Sequence, residues 1–381
     1  MKIGIVCYPT YGGSGIVATE LGMEMAKKGH QVHFISYSLP ARLDVTLPNI
    51  TFHQVNIQEY ELFHYQPYSL ALSTLMVEIA QQYGLDVMHV HYAIPHAYAA
   101  YIAKQILKEK GVELPVITTL HGTDITLVGK HPVYKPAVEF SINQSDIVTT
   151  VSESLKQDTC STFNIRKPII VIENFIDLSL FAEEGPCLRE KFAKKDERIL
   201  IHVSNLRKVK RIEDVIETFN LVQKKIKSKL IIVGEGPEWQ TAQQLIHKYG
   251  LEDKVRNVGK VKNLYSILHV ADLFLLPSSQ ESFGLAALEA MAAGVPVVSS
   301  DVGGIPEVNS HGVTGYTLPV GDVQGMAQAA IEILQDDQVL KKFKENARER
   351  SQLFDVKNIL PRYEKLYHQA VEGVKNGKAC G

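Results

Sequence analysis

Short runs of apolar and β-branched residues alternate along the chain with longer segments in which apolar residues recur every three or four positions. The short runs predict buried strands and the longer segments predict amphipathic helices, an alternation typical of parallel sheets covered by helices. A first series of predicted strands lies at residues 2–7, 31–36, 87–91, 116–120, 147–151 and 169–172. A second series lies at residues 199–203, 229–233, 255–258, 273–276, 296–299 and 315–318. We therefore expect an α/β chain with two Rossmann-like sheets.

The segment that separates the two series has a different composition. Residues 174–195 are rich in charge and contain a Gly-Pro pair, which predicts a linker. We place the first domain at residues 1–175 and the second at residues 196–359. Beyond the last strand, residues 324–372 show a nearly continuous helical pattern, interrupted around residues 354–361.

The composition is that of a globular protein with two domains. With 381 residues, 45% of them hydrophobic, the chain exceeds the size that one core usually supports. The 40 basic and 42 acidic residues give a net charge of -2, which argues against a surface devoted to nucleic acid or anionic lipid. A basic stretch at residues 341–350 is interspersed with acids, so we expect a solvated face there.

The cysteines and the apolar runs indicate the compartment. The four cysteines, at positions 7, 160, 187 and 380, show no C-x-x-C spacing, so neither a zinc site nor a disulfide framework is predicted. The apolar run at residues 3–7 is too short for the core of a signal peptide, and no apolar window approaches the length of a membrane span. We expect a cytoplasmic protein without stable membrane insertion.

A glycine-rich loop follows the first predicted strand. Gly12, Gly13 and Gly15 precede a helical run, so their backbone amides could approach an anion at a helix N-terminus. The same glycines would also suit a plain tight turn. A dinucleotide site would require G-x-G-x-x-G and an acidic residue after the second strand, where this chain has Ser36 and Tyr37. NAD is therefore disfavoured.

Two glutamates stand eight residues apart in the second half of the chain. Glu281 lies in a loop after a predicted strand, and Glu289 lies on the helix that follows. Carboxylates accept hydrogen bonds from sugar hydroxyls, and the amides of Phe283, Gly284 and Leu285 open the helix as a cradle for a diphosphate. Any two glutamates on a helix would often show this spacing, so the pair alone does not decide the function.

The surrounding letters resemble a known family. ESFGLAALEAM at residues 281–291, GVPV at 294–297, GGIPE at 303–307 and VGEGPE at 233–238 closely resemble the signature of the retaining glycosyltransferases of family 4. The resemblance implies the GT-B fold, in which two Rossmann-like domains face a central cleft and the last helix crosses back to the first domain. The break before residue 360 suits that crossing, so we assign residues 360–381 to the first domain.

This resemblance also implies roles for the donor-binding residues. Glu289 would hold the ribose of the nucleotide, Glu281 would face the donor sugar, and the amides of residues 283–285 would hold phosphate. The loop that contains Gly234 would lie beside the nucleotide, and the glycine loop with Gly13, Ser14 and Gly15 would complete the phosphate site. No D-x-D triplet occurs in the chain, so neither a magnesium-bridged diphosphate nor any other metal or cofactor is expected.

One segment departs from the family pattern. Where the family usually has an arginine, this chain has Asn205, and an arginine follows two positions later as Arg207. We expect Arg207 and Lys210 to clamp the diphosphate, because cationic donors suit phosphate oxygens, with Lys208 and Arg211 as solvated neighbours. The alternative is a basic run that is solvated throughout.

A closer resemblance concerns the acceptor. CYP at residues 7–9, HVHYAIPH at 89–96, TTLHGTDIT at 118–126 and VSNLRKVKR at 203–211 look like the glycosyltransferases that begin bacillithiol biosynthesis. This resemblance implies transfer of N-acetylglucosamine from UDP-N-acetylglucosamine to the hydroxyl of L-malate, with retention at the anomeric carbon.

Malate is a small dianion, so its pocket needs hydrogen-bond donors from the first domain. The candidates are Ser14, Arg42, Tyr92, Thr119 and Thr123. His121 would lie near the donor sugar and stabilise the charge of an oxocarbenium-like transition state. No carboxylate nucleophile is evident, which favours a front-face substitution in which the leaving diphosphate helps to take the acceptor proton.

Several alternatives remain open. His89, His91, His96 and His121 could meet at a zinc ion, but no carboxylate or cysteine ligand accompanies them, so this is disfavoured. A family 4 enzyme with a sugar, lipid or inositol phosphate acceptor would share the donor motifs. A sugar-nucleotide epimerase of GT-B type and a non-catalytic sensor are further candidates. The sequence leaves the oligomeric state open, a homo-oligomer included.

Overall fold

The computed structural model describes residues 1–57, 66–182, 188–261 and 263–375. The chain divides into two compact units, which we call unit 1 (Met1–Asn174 and Lys357–Gly381) and unit 2 (Phe175–Val356). The sequence-based boundaries were residue 175 for the end of the first domain and residue 360 for the return to it. The described part of segment 174–195, expected as a linker, belongs to unit 2 from residue 175 onwards.

Unit 1 contains a sheet of seven parallel strands. They are β1 (Lys2–Val6), β2 (Gln31–Ser36), β3 (Ile50–Gln54), β4 (Val87–His91), β5 (Val116–Leu120), β6 (Ile147–Thr150) and β7 (Ile169–Val171). The order is β3-β2-β1-β4-β5-β6-β7, so the winding reverses at β1 and β4. Parallel sheets bind ligands outside the carboxyl ends of the strands at such a switch point.

Helices cover the sheet of unit 1. They are α1 (Gly13–Lys27), α2 (Tyr68–Tyr83), α3 (Tyr98–Glu109), α4 (Lys135–Gln144), α5 (Glu153–Thr162) and residues 357–375 of α14 (Val356–Lys375). Single helical turns at Ala93–Ala97 and Thr123–Leu127 follow β4 and β5. The last helix buries Tyr363 and Tyr367 completely, and burial of such an aromatic ring contributes roughly 2–3 kcal/mol.

Unit 2 contains a second parallel sheet. Its strands are β8 (Arg198–Val203), β9 (Ser228–Val233), β10 (Val255–Asn257), β11 (Leu273–Leu276), β12 (Val297–Ser300) and β13 (Gly315–Leu318). The order is β10-β9-β8-β11-β12-β13, so its switch point lies at β8 and β11. The expected α/β architecture with two Rossmann-like sheets is confirmed.

The helices of unit 2 connect the strands of this sheet and pack against it. They are α6 (Ser179–Ala182), α7 (Ile212–Val222), α8 (Trp239–Tyr249), α9 (Tyr265–Leu268), α10 (Leu285–Ala292), α11 (Ile305–Val308), α12 (Val323–Leu334) and α13 (Asp337–Ser351). A core that includes Leu200, Phe219, Ile232 and Ile333 joins α7, α8 and α12 to the strands. Among the residues that the structure describes, no helix is long and apolar enough to cross a membrane.

Candidate active site

The glycine loop of unit 1 leads from β1 into α1 at the switch point. Gly15 allows this path, because a Cβ atom there would lie 2.4 Å from the carbonyl oxygen of Thr10. Helix α1 begins after Gly12, and no side chain in the described part of the chain caps it. Its first backbone amides are therefore available to an anionic ligand, and binding of such a ligand by Gly13, Ser14 and Gly15 stays a prediction.

A hydroxyl cluster spans this switch point. Ser14 Oγ and the Tyr92 hydroxyl share a hydrogen bond of 2.6 Å, and the exposed Thr123 side chain lies close enough to the Tyr92 hydroxyl to favour its ionised form. Burial raises the pKa of Tyr92 to about 12, so the phenol keeps its proton at neutral pH. The structure thus brings three of the predicted acceptor residues together, from α1, the end of β4 and the turn after β5.

Asp124 joins the loop after β4, which follows Tyr92, to the loop after β5, which contains Thr123. Its buried carboxylate accepts backbone N–H bonds from Ala93 at 2.8 Å, Gly122 at 3.0 Å and His121 at 3.4 Å. Burial raises the pKa of Asp124 to about 6, against the opposing effect of these amides. The sequence interpretation gave Asp124 no role, although an acidic residue just beyond a strand end was a usable signal.

The predicted site histidine is buried beside another histidine. His121 Nε2 lies 2.8 Å from His91 Nδ1, and burial lowers the pKa of His121 to about 3, so its ring is neutral at pH 7. His89 bonds to Tyr367 through Nδ1 at 2.8 Å and to Thr119 through Nε2 at 2.7 Å. Within the described ranges no group of three or more His, Cys, Asp or Glu side chains could hold a metal ion. This arrangement does not favour the zinc alternative.

Two other predicted acceptor residues have protein partners. Thr119 is fully buried, and its hydroxyl meets both His89 and the Thr149 hydroxyl, the latter at 2.6 Å, so its side chain supports the sheet and does not face a ligand. Arg42 adopts a left-handed backbone conformation with φ of 66° and donates to Glu20 at 2.8 Å. A bound dianion would have to compete with Glu20 for this guanidinium.

In unit 2, the loops after β8 and β11 meet at the switch point. The Lys210 ammonium forms an ion pair with the Glu281 carboxylate, which also accepts a hydrogen bond from Ser278 Oγ at 3.1 Å. The backbone N–H of Ser279 donates to the carbonyl of Val209 at 2.8 Å and ties the two loops together. Two predicted site residues therefore lie in direct contact.

A chain of hydrogen bonds shapes the loop after β8. His202 Nδ1 donates to the Leu275 carbonyl at 2.9 Å, so Nε2 accepts from Ser204 Oγ at 2.8 Å. Ser204 Oγ in turn accepts from the Leu206 N–H at 3.2 Å. The Gly234 loop packs against the turn, because a Cβ atom on Gly234, whose φ is 126°, would lie 1.8 Å from the Ser204 carbonyl oxygen.

The basic run after this turn has two kinds of residue. Arg207 and Lys208 are exposed, and among the described residues neither side chain has an ion-pair partner. Arg211, expected to be solvated, instead forms a two-point ion pair with the buried Asp214, at 2.6 and 2.9 Å. Arg211 therefore fixes the start of α7 and is not a solvated neighbour, whereas Lys208 is exposed as expected.

The segment after Glu281 forms the start of α10. Phe283 is buried, Gly284 has a φ of 95° that favours glycine, and no described side chain caps the helix. Gly303, in the loop after β12, packs directly against this segment, since a Cβ atom there would lie 1.8 Å from the Glu281 carbonyl oxygen. The amides of residues 283–285 thus open the helix without a side-chain cap, and their binding of a diphosphate stays a prediction.

Glu289 lies on α10 itself, beyond the amides that open the helix. Its side chain is 7% exposed. A carboxylate at this depth can accept hydrogen bonds from a bound hydroxyl group while little of it contacts water.

Comparisons with known proteins agree with this geometry. The sequence profile described as Glycosyltransferase Family 4 matches residues 11–180, and the profile described as Glycosyl transferases group 1 matches residues 187–350. The chain is 46% identical over 381 residues to the N-acetyl-alpha-D-glucosaminyl L-malate synthase of Bacillus anthracis, an alignment that covers 99% of each chain.

Solved structures share the fold. The sucrose-phosphate synthase of Thermosynechococcus elongatus superposes with a TM-score of 0.81 at 21% identity, over 97% of this chain and 98% of that chain. Anabaena HepE in complex with UDP-glucose superposes with a TM-score of 0.80 at 21% identity, over 97% of this chain and 100% of that chain. With 46% identity to an N-acetyl-alpha-D-glucosaminyl L-malate synthase across 99% of both chains, the protein belongs to glycosyltransferase family 4 and is an enzyme of the GT-B fold.

Proposed function

We propose that the protein transfers N-acetylglucosamine from UDP-N-acetylglucosamine to the hydroxyl of L-malate, with retention at the anomeric carbon and without a metal ion. The observation that carries this proposal is the 46% identity to the Bacillus anthracis N-acetyl-alpha-D-glucosaminyl L-malate synthase across 99% of both chains. Identity at this level over both domains supports a shared donor and a shared acceptor.

Unit 2 carries the groups suited to the donor. Glu289 would accept hydrogen bonds from the ribose, and Glu281 would accept them from sugar hydroxyls. The amides at the start of α10 and the cations Arg207 and Lys210 would neutralise the diphosphate. Lys210 already pairs with Glu281, so a bound donor would place its diphosphate beside Lys210 and its sugar beside Glu281.

Unit 1 carries the groups suited to a small dianion. The first amides of α1 can bind one carboxylate, and the hydroxyl cluster of Ser14, Tyr92 and Thr123 offers O–H donors to the acceptor. Since the Tyr92 phenol is protonated at neutral pH, it can donate a hydrogen bond without repelling an anion. A large acceptor such as a lipid would use this cluster less fully than a small hydroxy acid.

The proposed step is a front-face substitution at the anomeric carbon. The bond from that carbon to the UDP oxygen breaks while the malate oxygen bonds on the same face. The proton of the malate hydroxyl moves to the leaving diphosphate oxygen. Arg207 and Lys210 would stabilise the negative charge that develops on this oxygen, a contribution that fixed donors commonly make at about a hundredfold in rate.

An acceptor screen tests the proposal. UDP release from UDP-N-acetylglucosamine is followed with L-malate, D-malate, a simple sugar, inositol phosphate and a lipid acceptor, and product stereochemistry is read by NMR. We expect turnover with L-malate and an α-linked product. Turnover with another acceptor only would replace malate within the same family, and loss of the nucleotide without any acceptor would contradict the proposed transfer.

A further inference from the structure

Three histidine rings lie in a row behind the loop that follows β5. His91 stacks between His89 and His121, with ring centroids 4.5 and 5.1 Å away, and all three side chains are buried. His91 Nδ1 and His121 Nε2 lie 2.8 Å apart, so one proton is shared in this hydrogen bond. Whether His91 or His121 carries this proton determines which His121 nitrogen is a donor, and hence whether His121 can donate a hydrogen bond to a ligand.

Two arrangements of the proton are chemically possible. If His91 donates through Nδ1, its Nε2 carries a lone pair, and His121 carries its own proton on Nδ1. If His121 donates through Nε2, His91 carries an N–H on Nε2. His91 Nε2 is buried and has no hydrogen-bond partner, so the second arrangement would leave a buried N–H unsatisfied. Buried N–H groups without a partner are rarer than buried acceptors without one.

The neighbouring His96 supports the first arrangement. Its Nδ1 bonds to the backbone carbonyl of His91, which can only accept, so His96 is protonated on Nδ1. His96 Nε2 is then a lone pair, and it too is buried without a partner. The same cluster therefore already contains an unpartnered lone pair on a buried ring nitrogen.

We infer that His91 is a positioning residue that holds His121 as the neutral Nδ1–H tautomer, so that His121 donates a hydrogen bond to an oxygen atom of the substrate. A neutral N–H donor does not stabilise positive charge, so this role differs from the one expected from the sequence. The low pKa of His121, caused by burial, keeps the ring neutral across the physiological range. The identity of the bound oxygen rests on the proposed function, but the tautomer does not.

The tautomer can be measured without turnover. Long-range proton–nitrogen NMR on the full chain labelled with 15N-histidine distinguishes Nδ1–H from Nε2–H, and His121→Asn identifies the His121 signals by their loss. We expect His121 with Nδ1 protonated and Nε2 bare at pH 7. An Nε2–H signal for His121 overturns the inference, whatever acceptor the enzyme proves to use.

Two variants at one position test the functional consequence. His91→Asn keeps an N–H donor at about the position of Nδ1, whereas His91→Phe keeps a stacked ring and loses the donor. We expect His91→Phe to lower kcat/KM about tenfold and to give a mixture of the Nδ1–H and Nε2–H tautomers of His121. His91→Asn should stay near the wild type in both kcat/KM and the His121 tautomer. Equal losses in the two variants, with the His121 tautomer unchanged, would contradict a positioning role. If His91→Phe fails to fold, the wild-type spectrum and His91→Asn still decide.

Discussion

Lys210 and Glu281 form an ion pair that joins the loop after β8 to the loop after β11, at the point where the sheet of unit 2 reverses its winding. Both side chains are largely buried, with 20% and 14% of their surfaces exposed. Each was predicted from the sequence to contact a different part of the donor. Their contact means that either residue, when substituted, leaves the other charge without its partner.

We expect Lys210→Met to lower turnover about a hundredfold, because the diphosphate loses a fixed cation as its charge develops. Steady-state kinetics with varied UDP-N-acetylglucosamine provides the measurement. Lys208→Met is the matched control, since Lys208 is exposed and precedes it in the same turn, and it should change turnover less than twofold. A loss of the same size in both variants would mean that the basic residues 207–211 affect turnover only through their net charge.

A double variant separates the two roles of Lys210. If Lys210 served only to neutralise Glu281, then Lys210→Met combined with Glu281→Gln would be as active as Glu281→Gln alone. We expect the double variant to be far less active than Glu281→Gln alone, because the diphosphate still lacks its cation.

Tyr92→Phe should raise the KM for the acceptor about tenfold and leave the KM for the donor unchanged. The substitution removes the hydroxyl that bonds to Ser14 while retaining the ring that packs edge-on against Tyr8, with centroids 5.2 Å apart. The control is Tyr98→Phe, because Tyr98 is exposed at the start of α3. A change confined to the donor KM would remove Tyr92 from the acceptor site.

Chelation should not affect turnover. The uncapped start of α10 and the cations Arg207 and Lys210 can neutralise the diphosphate, and no cluster of three metal ligands exists among the described residues. The assay is UDP release after exhaustive treatment with EDTA and transfer into metal-free buffer. Activity that disappears and returns with magnesium or zinc would contradict this prediction.

The sequence was sufficient for most of the sheet. All twelve predicted strands are present within one or two residues, because each is a short apolar run with turn residues on both sides. The strand that was not predicted, β3, lies at the edge of its sheet, and its residues are partly exposed on both faces, so it lacks an apolar run and a clear alternation.

The candidate site was less predictable where it depends on contacts that are remote along the chain. Ser14 and Tyr92 meet because β1 and β4 are neighbours, and no local pattern encodes that pairing. Thr119 shows the opposite case, since its place beside a site histidine suggested a ligand contact while its orientation in the sheet directs the hydroxyl to His89. Asp124 was not predicted because a carboxylate that binds the backbone amides of a loop shows no characteristic spacing, so its place just beyond a strand end was the one available signal.

Asp124 should make stability depend on pH in a characteristic way. Burial raises its pKa from 3.8 to about 6, so folding binds a proton between these values. The stability due to this group is present below about pH 4 and is lost as the pH rises through 6. Between pH 5 and pH 7.5, we therefore expect the free energy of unfolding of Asp124→Asn to gain about 1 kcal/mol relative to the wild type.

Urea denaturation of both proteins at several pH values measures this difference. The asparagine changes the loop hydrogen bonds by an amount that does not vary with pH, so only the slope is diagnostic. Parallel stability curves for the two proteins would show that Asp124 titrates near its ordinary value.

Substitutions at Arg207 test whether this residue replaces the arginine that the family usually has at position 205. It adopts an extended conformation just before the turn that ends at Lys210, and no described residue pairs with its guanidinium. If Arg207 replaces the arginine that the family usually has at position 205, Arg207→Ala should lower turnover about a hundredfold, since it removes a charge-assisted donor to the leaving diphosphate. Lys208→Ala should have an effect of less than twofold. In the Arg207→Ala background, Asn205→Arg should restore at least part of the lost activity, because it returns a guanidinium to the family position. Small and equal losses at 207 and 208, together with no effect of Asn205→Arg, would mean that Arg207 is a surface residue and that Lys210 alone serves the diphosphate.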